Sequence, residues 1–213
     1  EDDALHENSY SDGIGSECNP SLASWYVDSD KDGSCDRNID WGSYFVDAGN
    51  VHWQRYIINA ILGFVSRGAE GVFLDTIDTA ALYPHTRSGM IGLVKRIRAE
   101  FPGLIIIQNR GFDEDPHGQT VIEETNSDIN GVMFENFLTS EVDQIDEASR
   151  EYVKGRIEFM RTMGLTIYSL DYATRPDVIS AIKVAARREG IVSYISPARS
   201  LAGLLLDIDS DAD

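Results

Sequence analysis

The chain has 213 residues, with 36 Asp and Glu against 18 Lys and Arg, a formal net charge of −18. Its 42 % apolar and 25 % charged residues are the mixture of a globular protein and exclude wholesale disorder. No stretch reaches about 18 uninterrupted apolar residues, so a spanning helix is not expected, and the negative charge repels phosphate backbones and excludes nucleic acid as an expected partner. Only four of the basic residues are Lys, and 22 Asp stand against 14 Glu. An Asp-rich, Lys-poor surface fits adaptation to high salt better than it fits attraction of cationic ligands, although both produce it.

Residues 1–50 read as an acidic, loop-rich segment, frequent in Gly, Ser, Asn and Asp. The first residues, Glu1, Asp2 and Asp3, lack the basic and apolar regions of a signal peptide, so the chain is expected to be cytoplasmic, already processed or part of something longer. Cys18 and Cys35 are the two cysteines. A disulfide between them would close a short loop, contribute about 3 kcal/mol by chain entropy and imply an oxidising compartment. Asp28, Asp30, Asp32 and Asp36, with Gly33 at the sharp turn, follow the opening of a calcium loop. Ile39 stands where an EF-hand has its bidentate Glu, so the loop is either a structural calcium site, closed by Asp40 if at all, or a solvated acidic loop. Either way no cofactor is expected to take part in catalysis.

Short strands are predicted at 23–27 and 44–46. A helix follows over 51–67, carrying Ile57, Ile58, Ile61, Leu62 and Val65 on one face, and Gly68 closes it. Gly71, Val72, Phe73 and Leu74 form an apolar run ending on Asp75, and a helix over 89–100 stops at Pro102 and Gly103. Further apolar runs cover 104–107, ending at Gln108 and Asn109, and 131–134, ending at Glu135. A helix over 149–163 leads to a run over 165–170 that ends at Asp171. Pro176 opens a last helix that stops at Gly190, before a final run over 191–195.

Strand and helix alternate, with strand ends near 75, 109, 135, 171 and 196, one βα unit about every 30 residues. Runs apolar on both faces suit a parallel sheet covered by helices. An open doubly wound sheet and a closed (β/α)8 barrel both fit. No Gly-rich phosphate loop follows any strand, and polar residues cluster at the strand ends where barrel active sites assemble, so an α/β barrel is expected. Five strong strands and two weak ones fall short of eight. The barrel is therefore expected to be incomplete at its N-terminal side, with the segment 1–50, a single barrel domain over 51–205 and an acidic tail over 206–213.

Asp75 and Glu135 end matching Gly-Val-x-x-carboxylate runs. In a closed barrel such ends face each other across the mouth, the constellation of a two-carboxylate glycosidase. The stretch from Arg67 through Ala80, with Phe73, Leu74, Asp75, Thr76 and Asp78 at its centre, resembles glycoside hydrolase family 114, the endo-α-1,4-polygalactosaminidase-like (β/α)8 barrels. So do Gln108 to Phe112, Gly131 to Phe137, Ser169 to Tyr172, Ser193 to Pro197, and, upstream, Trp41 to Asp47 with Trp53. The resemblance covers roughly residues 25–200. It implies Asp75 and Glu135 as the catalytic pair, assigned here as nucleophile and general acid/base respectively. It further implies a secreted or cell-surface hydrolase of α-linked, galactosamine-containing polysaccharide.

Asp78, Asn109, Asp171, Tyr172 and Ser196 are candidate substrate contacts: Asp171 for an amino-sugar ammonium, Tyr172 as a stacking platform, Asn109 for a hydroxyl. Asp78 reads equally as a helix cap, and Asn109 as a residue closing its own turn. Arg110 is expected to pair with a carboxylate. His6, His52, His85 and His117 share no metal-ligand spacing, which argues against a catalytic zinc. The alternative to an enzyme is a catalytically inactive barrel that binds polysaccharide or acts as a scaffold.

Overall fold

The structure, a computed structural model, describes residues 24–39 and 42–199. Cys18, Asp40, Trp41 and the acidic tail lie outside these residues. The chain divides into two compact units, one ending at Ile129 and the other beginning at Asn130.

In the first unit, strands β1 (Arg37–Asn38) and β2 (Ser43–Tyr44) form an antiparallel pair, and Tyr26 bridges to Val46. Helix α1 (Val51–Val65) starts at Asn50, whose Oδ1 accepts the His52 and Trp53 N–H groups at 2.9 and 3.5 Å. The same side chain donates to the Ser24 carbonyl at 2.9 Å, tying the helix to the irregular segment. Strand β3 (Gly71–Leu74) pairs in parallel with β4 (Ile105–Asn109), and between them run α2 (Thr79–Leu82), one 3-10 turn and α3 (Arg87–Glu100). A short helix α4 (Ile122–Thr125) closes the unit. Trp53 and Ile57 of α1, Leu74 of β3, and Met90, Leu93, Val94 and Ile97 of α3 surround one apolar cavity of about 50 Å³. That volume holds a water or two and no sugar ring.

In the second unit, β5 (Gly131–Glu135), β8 (Thr166–Tyr172) and β9 (Val192–Ser196) form a parallel sheet in that order. Helices α5 (Arg150–Thr162) and α6 (Pro176–Glu189) make the crossovers. A small antiparallel hairpin, β6 (Thr139–Glu141) and β7 (Gln144–Ile145), follows β5 and had no counterpart in the predicted elements. Gly190 takes the left-handed conformation that ends α6, with φ 63°.

Paired residues in a parallel sheet share a face, and successive residues alternate. In the second unit Val132, Phe134, Ile167, Ser169 and Asp171 therefore lie on one face, which is buried. Met133, Glu135, Tyr168 and Tyr194 lie on the other, half-buried, with Val192 there 56 % exposed. The first unit repeats the contrast. Ile106 and Gln108 are buried on one face, while Phe73 and Ile105 on the other are each 49 % exposed.

Strands β3 and β5 open on a glycine for a steric reason. A Cβ at Gly71 would come within 2.8 Å of the Ile105 carbonyl oxygen. One at Gly131 would meet the Tyr168 ring at 2.6 Å and the Thr166 carbonyl at 2.9 Å. The matching Gly-Val starts thus reflect close strand approach. Among the described residues no helix is long and apolar enough to cross a membrane.

Candidate active site

In the first unit Asp75 leaves the end of β3 half-buried, on the open face of the strand pair. Its Oδ1 accepts two hydrogen bonds, from the Thr76 N–H at 2.8 Å and from Asn109 Nδ2 at 2.8 Å. Asn109 ends the neighbouring strand on the same face and is buried. Its amide serves the adjacent carboxylate, where the sequence left open a sugar contact or a turn of its own.

Asp78 stands at the start of α2, and its side chain makes no capping bond. It faces Arg110 instead, at 3.6 Å from the guanidinium Nε. Burial pushes the Asp78 carboxyl up, Arg110 opposes this, and the negative charges of Asp113 and Asp75 add to it. Arg110 also holds Asp113, with Nε to Oδ2 at 2.9 Å and Nη2 to Oδ1 at 3.2 Å, so it pairs with carboxylates as expected.

In the second unit Glu135 ends β5 half-buried on the open face. The Tyr172 hydroxyl donates to its Oε1 at 2.5 Å. Tyr172 itself is 1 % exposed, and the Arg199 guanidinium lies 5.8 Å from its ring centre. The ring expected as a stacking platform is therefore covered, and its hydroxyl is the working group.

Asp171 lies on the opposite, buried face, with 0 % exposure. Its Oδ1 accepts the backbone N–H groups of Leu138 at 2.7 Å and Thr139 at 2.9 Å, and the Thr139 hydroxyl at 3.1 Å. Burial pushes its carboxyl up, against the three donors. The expected ammonium contact is thus a buried anchor for the segment leading into the β6–β7 hairpin. Asp143, between those two strands, accepts the Thr174 and Arg175 N–H groups at 2.8 Å each, fastening the hairpin to the start of α6. Those bonds, Arg175 first, hold the Asp143 carboxyl below the usual range. Ser196 is buried and closes its own turn, its hydroxyl donating to the Ala198 carbonyl at 2.6 Å.

One backbone feature recurs at the strand ends. Thr76, Arg110 and Asn136 directly follow Asp75, Asn109 and Glu135, and their φ angles are 57°, 57° and 59°. Non-glycine residues in this region are uncommon; Asn bears it most readily, and a β-branched residue such as Thr76 is the most strained, at about 1–2 kcal/mol. Such strain clusters where side chains are held for function.

Of the calcium-loop residues, Asp28, Asp30 and Asp32 bring carboxylate oxygens within 4.8 Å of one another. Asp36 is engaged elsewhere: it accepts the Ser29 N–H at 3.2 Å and bonds the Tyr83 hydroxyl. Asp28 likewise accepts the Asp32 and Gly33 N–H groups, at 3.2 and 3.1 Å, so the loop is organised by its own backbone. Cys35 is disulfide-bonded.

No protein-family model matches the chain, and no curated protein does. Solved structures do. The glycoside hydrolase domain of PelA from Pseudomonas aeruginosa is similar with a TM-score of 0.67 and 23 % identity, over 80 % of this chain and 69 % of that one. The likeness shows a shared α/β fold. Aspergillus fumigatus Ega3, solved in complex with galactosamine, is similar with a TM-score of 0.53 and 10 % identity, over 81 % of this chain and 64 % of that one. The likeness agrees with the α/β class and the incomplete barrel expected from the sequence. Two parallel strands lie in the first unit and three in the second among the described residues, against eight in a closed barrel.

Proposed function

We propose that the chain carries glycoside hydrolase chemistry directed at α-linked, galactosamine-containing polysaccharide, with Asp75 and Glu135 as its two working carboxyls. The observation that carries the proposal is a repeated construction. Each carboxylate ends a parallel strand, half-buried on the open face, with a neutral side-chain donor on it and a left-handed non-glycine residue after it. A catalytic carboxyl has to be fixed in direction while staying reachable, and this arrangement provides both. The fold likeness to a glycoside hydrolase domain and to a galactosamine-bound protein supports the reaction class and the amino sugar. The disulfide at Cys35 supports an oxidising, extracellular or cell-surface setting.

Asp75 is taken as the nucleophile and Glu135 as the acid/base. In a retaining mechanism the first would attack the anomeric carbon while the second protonates the leaving oxygen, then activates water. The test is product release from partly deacetylated galactosamine and glucosamine polymers by the chain and by Asp75→Asn and Glu135→Gln. Each substitution is expected to lower turnover about 10²–10⁴-fold with the fold retained by circular dichroism. Equal release by all three proteins would remove the assignment.

A further inference from the structure

Tyr172 and Asp171 are neighbours in sequence that act on opposite faces of β8. Register explains why. Glu135 pairs with Leu170, so Tyr172, two residues on, shares the face of Glu135, and Asp171 falls on the other. Tyr172 donates its hydroxyl to Glu135 Oε1. Asp171 Oδ1 gathers the Leu138 and Thr139 N–H groups and the Thr139 hydroxyl. The same Thr139 hydroxyl accepts the backbone N–H of Tyr172 at 3.0 Å. Asn136, directly after Glu135, donates its N–H to the Leu170 carbonyl at 2.8 Å. The segment from Glu135 to Thr139 is therefore pinned to the end of β8 on both faces.

We infer that Tyr172 is a positioning residue for Glu135, and that the buried Asp171–Thr139 latch sets where Tyr172 delivers its hydrogen bond. The inference rests on the reading of Glu135 as a working carboxyl. A glutamate has three side-chain torsions, and ordering them costs entropy that a prior hydrogen bond removes before substrate arrives. The latch is suited to this because its acceptor is a carboxyl oxygen shielded from water and shared by three donors. Tyr172 is buried under Arg199, so its ring meets no substrate.

The experiment compares the chain with Tyr172→Phe, which keeps the ring and deletes the hydroxyl. Tyr152→Phe, on the exposed side of α5, is the control. By NMR, the Tyr172 hydroxyl proton of the unsubstituted chain is expected to exchange slowly and to show a cross-peak to the Glu135 methylene protons. In Tyr172→Phe the Glu135 couplings should become rotamer-averaged. With a galactosamine polymer, kcat should fall about tenfold while KM stays within about twofold. An unchanged Glu135 rotamer in Tyr172→Phe, or a fast-exchanging hydroxyl, would overturn the inference. A raised KM at constant kcat would overturn it too, by making Tyr172 a substrate contact.

Should Tyr172→Phe not fold, Thr139→Val keeps the phenol and removes the hydroxyl shared with Asp171. Partial averaging of Glu135 is then expected, and none would count against the latch. If the unsubstituted chain cleaves no polymer, the functional proposal fails while the NMR comparison still decides the positioning.

Discussion

The two strand ends solve one problem with different chemistry. At the end of β3, Asp75 is held by the Asn109 amide and has charged neighbours close by: Asp78, Arg110 and Asp113. At the end of β5, Glu135 is held by the Tyr172 phenol, whose ring lies under Arg199, and the Asp171 carboxyl is buried behind the sheet under three donors. The first arrangement is electrostatic and partly solvated, so screening weakens it. The second is a hydrogen-bonded latch shielded from water, so it is stiffer and fails more abruptly when a member is lost.

The largest effect that separates them is expected from Asp171→Ala. It strands the Leu138 and Thr139 N–H groups in a buried place, at about 3 kcal/mol in urea unfolding. Arg110→Gln, in the first unit's half-buried and partly solvated cluster, should change stability by much less. It should instead push the Asp78 carboxyl further up, because Arg110 is what opposes the burial. Titration of the labelled carboxyl by NMR reads this directly. A comparable stability loss from both substitutions would erase the contrast.

The paired glycines come next. Gly71→Ala and Gly131→Ala each drive a Cβ against a neighbouring strand's carbonyl at 2.8 and 2.9 Å. A loss of about 2 kcal/mol is expected from each. At Gly131 the 2.6 Å contact is with the Tyr168 ring, so Gly131→Ala with Tyr168→Leu should recover part of it, whereas the Ile105 carbonyl facing Gly71 is backbone and cannot be trimmed.

A pH dependence follows from Asp171. Its folded-state carboxyl lies above the ordinary value, so the native state holds a proton that the unfolded chain has released over the intervening range. Stability from this group is therefore full below the unfolded value and declines as pH rises through the raised one. Asp171→Asn keeps an acceptor for the three donors and removes the titration. As pH rises from the ordinary carboxyl value towards the raised one, its urea midpoint should rise relative to the unsubstituted chain. Parallel midpoints would mean the carboxyl does not titrate in that window.

Much of this was legible in the sequence. The runs ending at 75, 109 and 135 are strands where expected, because they are apolar runs too short for a helix, bounded by Gly and a polar residue. The helices at 51, 150 and 176 follow their apolar spacing to within a turn. The β6–β7 hairpin was not legible, since Thr139 to Ile145 has no apolar alternation and is held by contacts with residues distant in sequence, Thr139 with Asp171 and Asp143 with Thr174. Asp171 and Tyr172 were grouped as one strand end because the run was expected to stop at 170. The strand continues to Tyr172, and one residue of parity separates a buried anchor from a partner of Glu135. Asn109 could be placed at a strand end but not paired with Asp75 without the register.

The smallest expected effect bears on the strain the two ends share. Thr76 and Asn136 have almost the same φ, 57° and 59°, yet differ in what that conformation costs them. A β-branched Thr clashes there, while Asn is unbranched at Cβ and visits the region far more readily. Thr76→Gly should therefore stabilise the chain by about 1 kcal/mol, after the entropy that Gly adds to the unfolded state. Asn136→Gly should change it by a few tenths at most. If the strained backbone aims Asp75, the stabilised Thr76→Gly should also turn over substrate more slowly, since relief of strain widens the range of Asp75 directions. A more stable variant with undiminished turnover would show that the left-handed residue is a turn requirement alone, and the shared backbone of the two ends would lose its functional meaning.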